Sequence, residues 1–82
     1  MGLTSDKSGK VEVLTVLREA YTRAWTQQVA GEDAEQGFAT ARQLASGASA
    51  HGATMPEIVR TLREGAIAAE EATGREIVFA LR

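Results

Sequence analysis

Apolar residues recur at three- to four-residue steps along most of the chain, and the pattern divides into three helical stretches. In the first, residues 10–30, Val11, Leu14, Leu17, Tyr21, Ala24 and Val29 follow the spacing of one helical face. Val13 and Trp25 widen that stripe, while Arg18, Thr22, Arg23 and Gln27 fall mostly on the other side. Gly31 stands where a left-handed C-terminal cap is needed. The second stretch opens with Asp33 as N-cap and Gln36 three residues on as its capping-box partner, and runs to about residue 50. Phe38, Ala41, Leu44, Ala45 and Ala48 are its inward positions. It is poor in large apolar groups and holds Gly37 and Gly47, each costing about 1 kcal/mol relative to Ala in a helix. Such small residues allow close helix approach, so this helix is expected to sit between its neighbours.

The third stretch has the clearest start. Thr54 and Glu57 form a capping box, Pro56 falls in the first turn where its missing donor costs nothing, and Ala53 with Ile58 makes a small staple. Ile58, Leu62, Gly65 or Ala66, Ala69 and Thr73 form the inner stripe. Gly74 either ends this helix, leaving residues 75–82 as a short fourth segment, or is passed through. The phase of Ile77, Ala80 and Leu81 favours continuation, giving a helix of about 28 residues and roughly 42 Å. The fold class is therefore all-α: an up-down bundle of three helices over residues 10–82 as a single domain, preceded by a flexible N-terminal tail over residues 1–9.

Length changes the picture. At 82 residues the chain buries a smaller share of its surface than a larger domain does. It has no cysteine, which removes disulfide staples, thiolate zinc sites and a cysteine nucleophile together. Self-association is the remaining means of burying apolar surface that one chain leaves open, so a homodimer is expected. Ile77, Val78 and Phe79 place apolar groups around more than one side of a helix, and Tyr21 and Trp25 add bulk to the first. Tyr21, Trp25, Ile77, Val78, Phe79 and Leu81 are the candidate residues of a dimer or partner interface, although for Tyr21 a core role is the favoured reading.

Net charge is −2, from 9 basic and 11 acidic residues mixed along the chain. That lacks the concentrated basic face with which nucleic-acid binders displace counterions, so nucleic acid is disfavoured as a partner. No apolar run approaches the roughly 20 residues that span a bilayer, and residues 1–10 lack the apolar core of a signal peptide. A cytoplasmic, bacterial-type protein is expected. His51 is the only histidine and falls in a turn, where a solvated or capping role is ordinary, so no catalytic residue is assigned. The acidic pairs Glu32/Asp33 and Glu70/Glu71 have no third oxygen ligand spaced to join them, and no glycine-rich phosphate loop is present, so no metal or cofactor is expected. One competing pattern remains: Ala48, Gly52 and Ile58 match the small–glycine–aliphatic spacing of a helix-turn-helix with residues 54–66 as recognition helix. Against it, His51 takes a place usually held by a buried aliphatic, and Glu57 and Glu64 weaken the positive field.

Between Arg18 and Glu71 the chain resembles the N-terminal domain of RsbU-type phosphatases, which regulate stress sigma factors through partner switching. The matching residues are Glu19, Ala20 and Tyr21, then Gly31 to Ala34, then Ala41 to Leu44. The run from Gly52 to Val59 and the later Leu62, Gly65 and Ala66 complete the match. The resemblance implies a dimeric helical bundle, similar to the C-terminal domain of the clock protein KaiA. It would be non-enzymatic, receiving a switch kinase related to RsbT to activate an attached phosphatase domain. Members of that family have a full fourth helix, for which only residues 75–82 are available here, and the phosphatase domain lies outside this sequence. The chain thus reads as an excised fragment or a stand-alone adaptor. A small helix-turn-helix regulator and a phage or antitoxin-type protein inhibitor are the alternatives.

Overall fold

The computed structural model describes residues 5–77, with side chains from residue 9 onward. Among the described residues the fold has three helices: α1 (Ser5–Val29), α2 (Glu35–Ala50) and α3 (Met55–Thr73). They form an all-α up-down-up bundle of 44 × 21 × 20 Å. Residues 5–9, read as part of a tail, belong to α1, whose 25 residues span about 37 Å.

α1, not α2, is the central helix. It packs broadly against both others, whereas α2 and α3 scarcely touch each other. The face that α1 shows to α3 is marked by Gly65: a Cβ there would lie 2.9 Å from the Arg18 carbonyl oxygen and 3.2 Å from the Tyr21 Cβ. The Thr22 hydroxyl donates to the Gly65 carbonyl at 2.9 Å across the same crossing. The face turned to α2 holds Ala24, against which Gly37 packs closely. Two helices thus lean on neighbouring faces of one, and both faces of α1 must present small or apolar groups. Leu17 and Ala24 are fully buried and Tyr21 nearly so.

The core is built on an aromatic cluster. Tyr21, Trp25 and Phe38 meet edge to face with ring centroids 5.2–6.1 Å apart, the arrangement that ring quadrupoles favour. Ala41 and Ala48 fill in from α2, and Ile58, Leu62, Ala66 and Ala69 from α3. These are the inward positions that periodicity predicts. Val11 departs from them. Read as inward, it is 56% exposed, although the neighbouring Lys10 reaches Glu57 of α3.

The helix ends show where local chemistry prevails. Thr54 and Glu57 make the capping box in full: the Thr54 hydroxyl accepts from the Glu57 N–H, and the Glu57 carboxylate accepts from the Thr54 N–H at 2.8 Å. Asp33 accepts from the Glu35 N–H at 3.0 Å, but the N-cap position is Ala34 and no box with Gln36 forms. The expected start is displaced by one residue, within the ordinary fraying of helix ends.

At Gly74 the expectation of a continuous helix is overturned. The residue takes φ 70°, ψ 13°, and its N–H bonds to the Glu70 carbonyl at 2.8 Å. This left-handed conformation costs glycine nothing and ends the helix. The chain then reverses far enough for the Ile77 N–H to donate to the Glu70 carboxylate at 2.7 Å while its side chain, 7% exposed, joins the core.

Candidate functional site

Because α2 and α3 both rest on α1 without closing on each other, a groove runs between them. Its floor includes Tyr21, and its volume is about 390 Å³. The α2 wall is Ala41, Ala45, Ser46 and Ser49, side chains too short to reach across. The α3 wall is Ile58 and Leu62, both turned down onto α1, with Met55 at the lip and 67% exposed. Met55 occupies the first helical position after the Thr54 cap, so capping geometry fixes its place beside the opening.

Arg42 is the one charged side chain lining this groove among the described residues. It is exposed and makes no hydrogen bond or ion pair among the described residues. On its other side a polar hollow is lined by Glu32, Asp33 and Glu35 at the α1–α2 turn. A second apolar surface lies on the outer flank of α1 and α2, where Val11 and Val16 (56% and 48% exposed) stand with the half-buried Val13 and Leu44.

Several titratable groups elsewhere have structural partners. Glu57 takes its cap hydrogen bonds and an ion pair from Lys10 at 3.1 Å, tying the start of α3 to α1. The Thr54 backbone N–H, then Lys10, holds its carboxyl below the usual carboxylate range. Asp33 and Glu70 accept backbone N–H groups, as described above, which gives each acidic pair a member with a local role. His51 lies exposed after α2, its imidazole against the backbone of Gly9. Among the described residues no three His, Asp or Glu side chains are grouped to hold a metal ion. No helix among them is long and apolar enough to cross a membrane.

The interface residues expected from the sequence fall differently. Tyr21, Trp25 and Ile77 are 1%, 8% and 7% exposed within the single chain. They are core residues: the edge-to-face cluster covers the first two and the reversal at Gly74 brings the third inward. Val78, Phe79 and Leu81 lie outside the described residues. Of the groove residues, Tyr21 is one of those candidates, while Ala41, Ala45, Ile58 and Leu62 read in the sequence as inward positions of a core and not as a site. Ala41, Ala45 and Ser49 recur at four-residue steps on one side of α2, a visible signal of a small-residue wall, but the pattern does not say whether a neighbour fills the space beside it.

The corner between α2 and α3 also bears on helix-turn-helix geometry. In that motif the two helices pack on each other at roughly 90–120°. Here they hardly meet, and the exposed side of α3 mixes Arg60 and Arg63 with Glu64 and Glu71. No protein-family model matches the chain, and neither a curated protein nor a solved structure matches it.

Proposed function

We propose that this chain is a non-enzymatic protein-interaction and dimerisation module of bacterial cytoplasmic signalling, of the kind that receives a switch kinase in RsbU-type partner switching. The observation that carries the reading is the failure of α2 and α3 to close, which leaves an apolar groove lined by Met55, Ile58 and Leu62. A concave apolar surface with one charged group at its edge suits recognition of a protein segment. The resemblance between Arg18 and Glu71 supplies the signalling context. The outer flank at Val11 and Val16 offers a second chain an apolar face that Trp25 and Tyr21, being core, do not.

The test compares the wild-type chain with Ser49→Arg, which obstructs the groove, and Val16→Glu, which charges the flank. A switch kinase of the RsbT type should bind the wild type and Val16→Glu but not Ser49→Arg. Light scattering at micromolar concentration should give twice the 8.7 kDa monomer mass for the wild type and the monomer mass for Val16→Glu. Random duplex DNA bound with a steep salt dependence would instead establish the DNA-binding alternative. A monomeric wild type that ignores the kinase would end the proposal.

A further inference from the structure

We infer that the α2–α3 groove takes an amphipathic helix from a partner protein, and that this helix carries an acidic residue placed over Arg42. The inference rests on the interaction reading above and narrows it to one class of occupant. The first argument is dimensional. From Ala41 to Ser49 the α2 wall covers eight residue steps, about 12 Å, and from Met55 to Leu62 the α3 wall covers seven, about 10.5 Å. Anchors at i, i+3 or i+4 and i+7 of a docking helix span the same two turns.

The second argument is shape. Each of α2 and α3 lies against α1, so among the described residues the position across from α1 is open, and a helix laid there would touch both. The small side chains of Ala45 and Ser49 allow its axis to approach α2 closely, at the near end of the 8–10 Å usual for packed helices. Met55 at the lip has an unbranched, polarizable side chain suited to adapt to an incoming surface.

The third argument is charge. Arg42 is the only charged side chain on the groove and is unpaired among the described residues. A guanidinium at the edge of an apolar slot favours a carboxylate and disfavours an ammonium at the same level. Glu32, Asp33 and Glu35 lie beyond Arg42, so the favourable zone for an acid is confined to the level of Arg42 itself, with the apolar ridge running from there towards Met55.

The test uses two stapled helical peptides that share Leu at i, i+4 and i+7 and differ only in having Glu or Lys one turn beyond the ridge. Each is titrated into the full chain carrying labelled Met, Ile and Leu methyl groups. The methyl signals of Met55, Ile58 and Leu62 should move, and the Glu peptide should bind about two- to five-fold more tightly, the size expected of one exposed ion pair. Arg42→Gln should erase the difference and Arg42→Glu should invert it. Ser49→Arg should abolish binding of both peptides with the helical circular dichroism unchanged, and Ser46→Arg provides a second obstruction should the first disturb folding. Equal binding of the two peptides, or a preference that survives Arg42→Gln, refutes the acidic occupant while leaving a docking groove in place. Immobile groove methyls with both peptides refute the helical occupant, and kinase binding to the wild type but not Ser49→Arg would then still support the interaction reading. Concentration-dependent shifts of the groove methyls without peptide would assign the groove to a second copy of this chain and overturn the inference.

Discussion

Gly65 and Gly47 are both helix-interior glycines, and the same substitution should act on them with opposite sign. At Gly47 no atom lies within 4 Å of where a Cβ would be. Gly47→Ala therefore gains helix propensity, up to about 1 kcal/mol, and loses nothing. At Gly65 the added carbon would sit 2.9 Å from the Arg18 carbonyl oxygen, a backbone atom that no rotamer change can move aside. Overpacking of this kind costs about 1–3 kcal/mol. If α1 and α3 part to make room, the Thr22–Gly65 hydrogen bond lengthens as well, worth about 0.5–1.5 kcal/mol. Set against the same propensity gain, Gly65→Ala should lose about 1–3 kcal/mol. The two variants then differ by about 2–4 kcal/mol. At about 4–8 °C per kcal/mol for a domain of this size, their melting temperatures should separate by about 8–32 °C. Thermal circular dichroism at 222 nm, supported by urea titration, reads this directly. Equal stabilisation of both variants would refute the close α1–α3 crossing on which the packing account depends.

Thr54→Ala removes the N-cap of α3 and should cost about 1 kcal/mol; an unchanged urea midpoint would contradict the cap. Because Glu57 titrates below the usual carboxylate range, its stabilising effect is present above the unfolded-state value of about 4.3 and is lost as pH falls through the folded-state value. The melting temperature of the wild type should therefore fall more on acidification below that point than that of Glu57→Gln, and parallel profiles would remove Glu57 from the account. Leu17→Ala, at a fully buried site on α1, should cost about 2–5 kcal/mol in urea unfolding. Native-state hydrogen exchange should show the α2 amides opening at lower free energy than those of α1, since α2 has one helical neighbour and two glycines; uniform protection would argue for a single cooperative unit.

Periodicity and caps make the three helices, their order and most inward residues legible in the sequence. The Thr54 box is legible because every partner lies within four residues. What is not legible is decided by contacts distant in sequence. Gly74 is compatible with either helical hand, and its choice depends on the burial of Ile77 and on the Glu70 carboxylate that receives the Ile77 N–H. Trp25 on the widened side of its stripe suggests surplus bulk, yet Phe38 from α2 meets it at 5.2 Å and makes it core. Gly47 and Gly65 look alike as letters, and the α1 atoms packed against Gly65, the Arg18 carbonyl foremost, distinguish them. The groove is hidden for the same reason: small residues on α2 are equally consistent with a tight neighbour and with an empty side.

The central position of α1 makes its register indispensable in a way that of the other helices is not. Each residue turns a helix by about 100°. Deleting one residue near the middle of α1 would rotate everything beyond it by that angle, turning Tyr21, Ala24 and Trp25 away from both partner helices at once. The same deletion in α2 would spoil a single packing face and leave the α1–α3 crossing at Gly65 in register. Changes of length should therefore be confined to the turns and to α2, while α1 accepts substitutions at its exposed positions but no gain or loss of a residue.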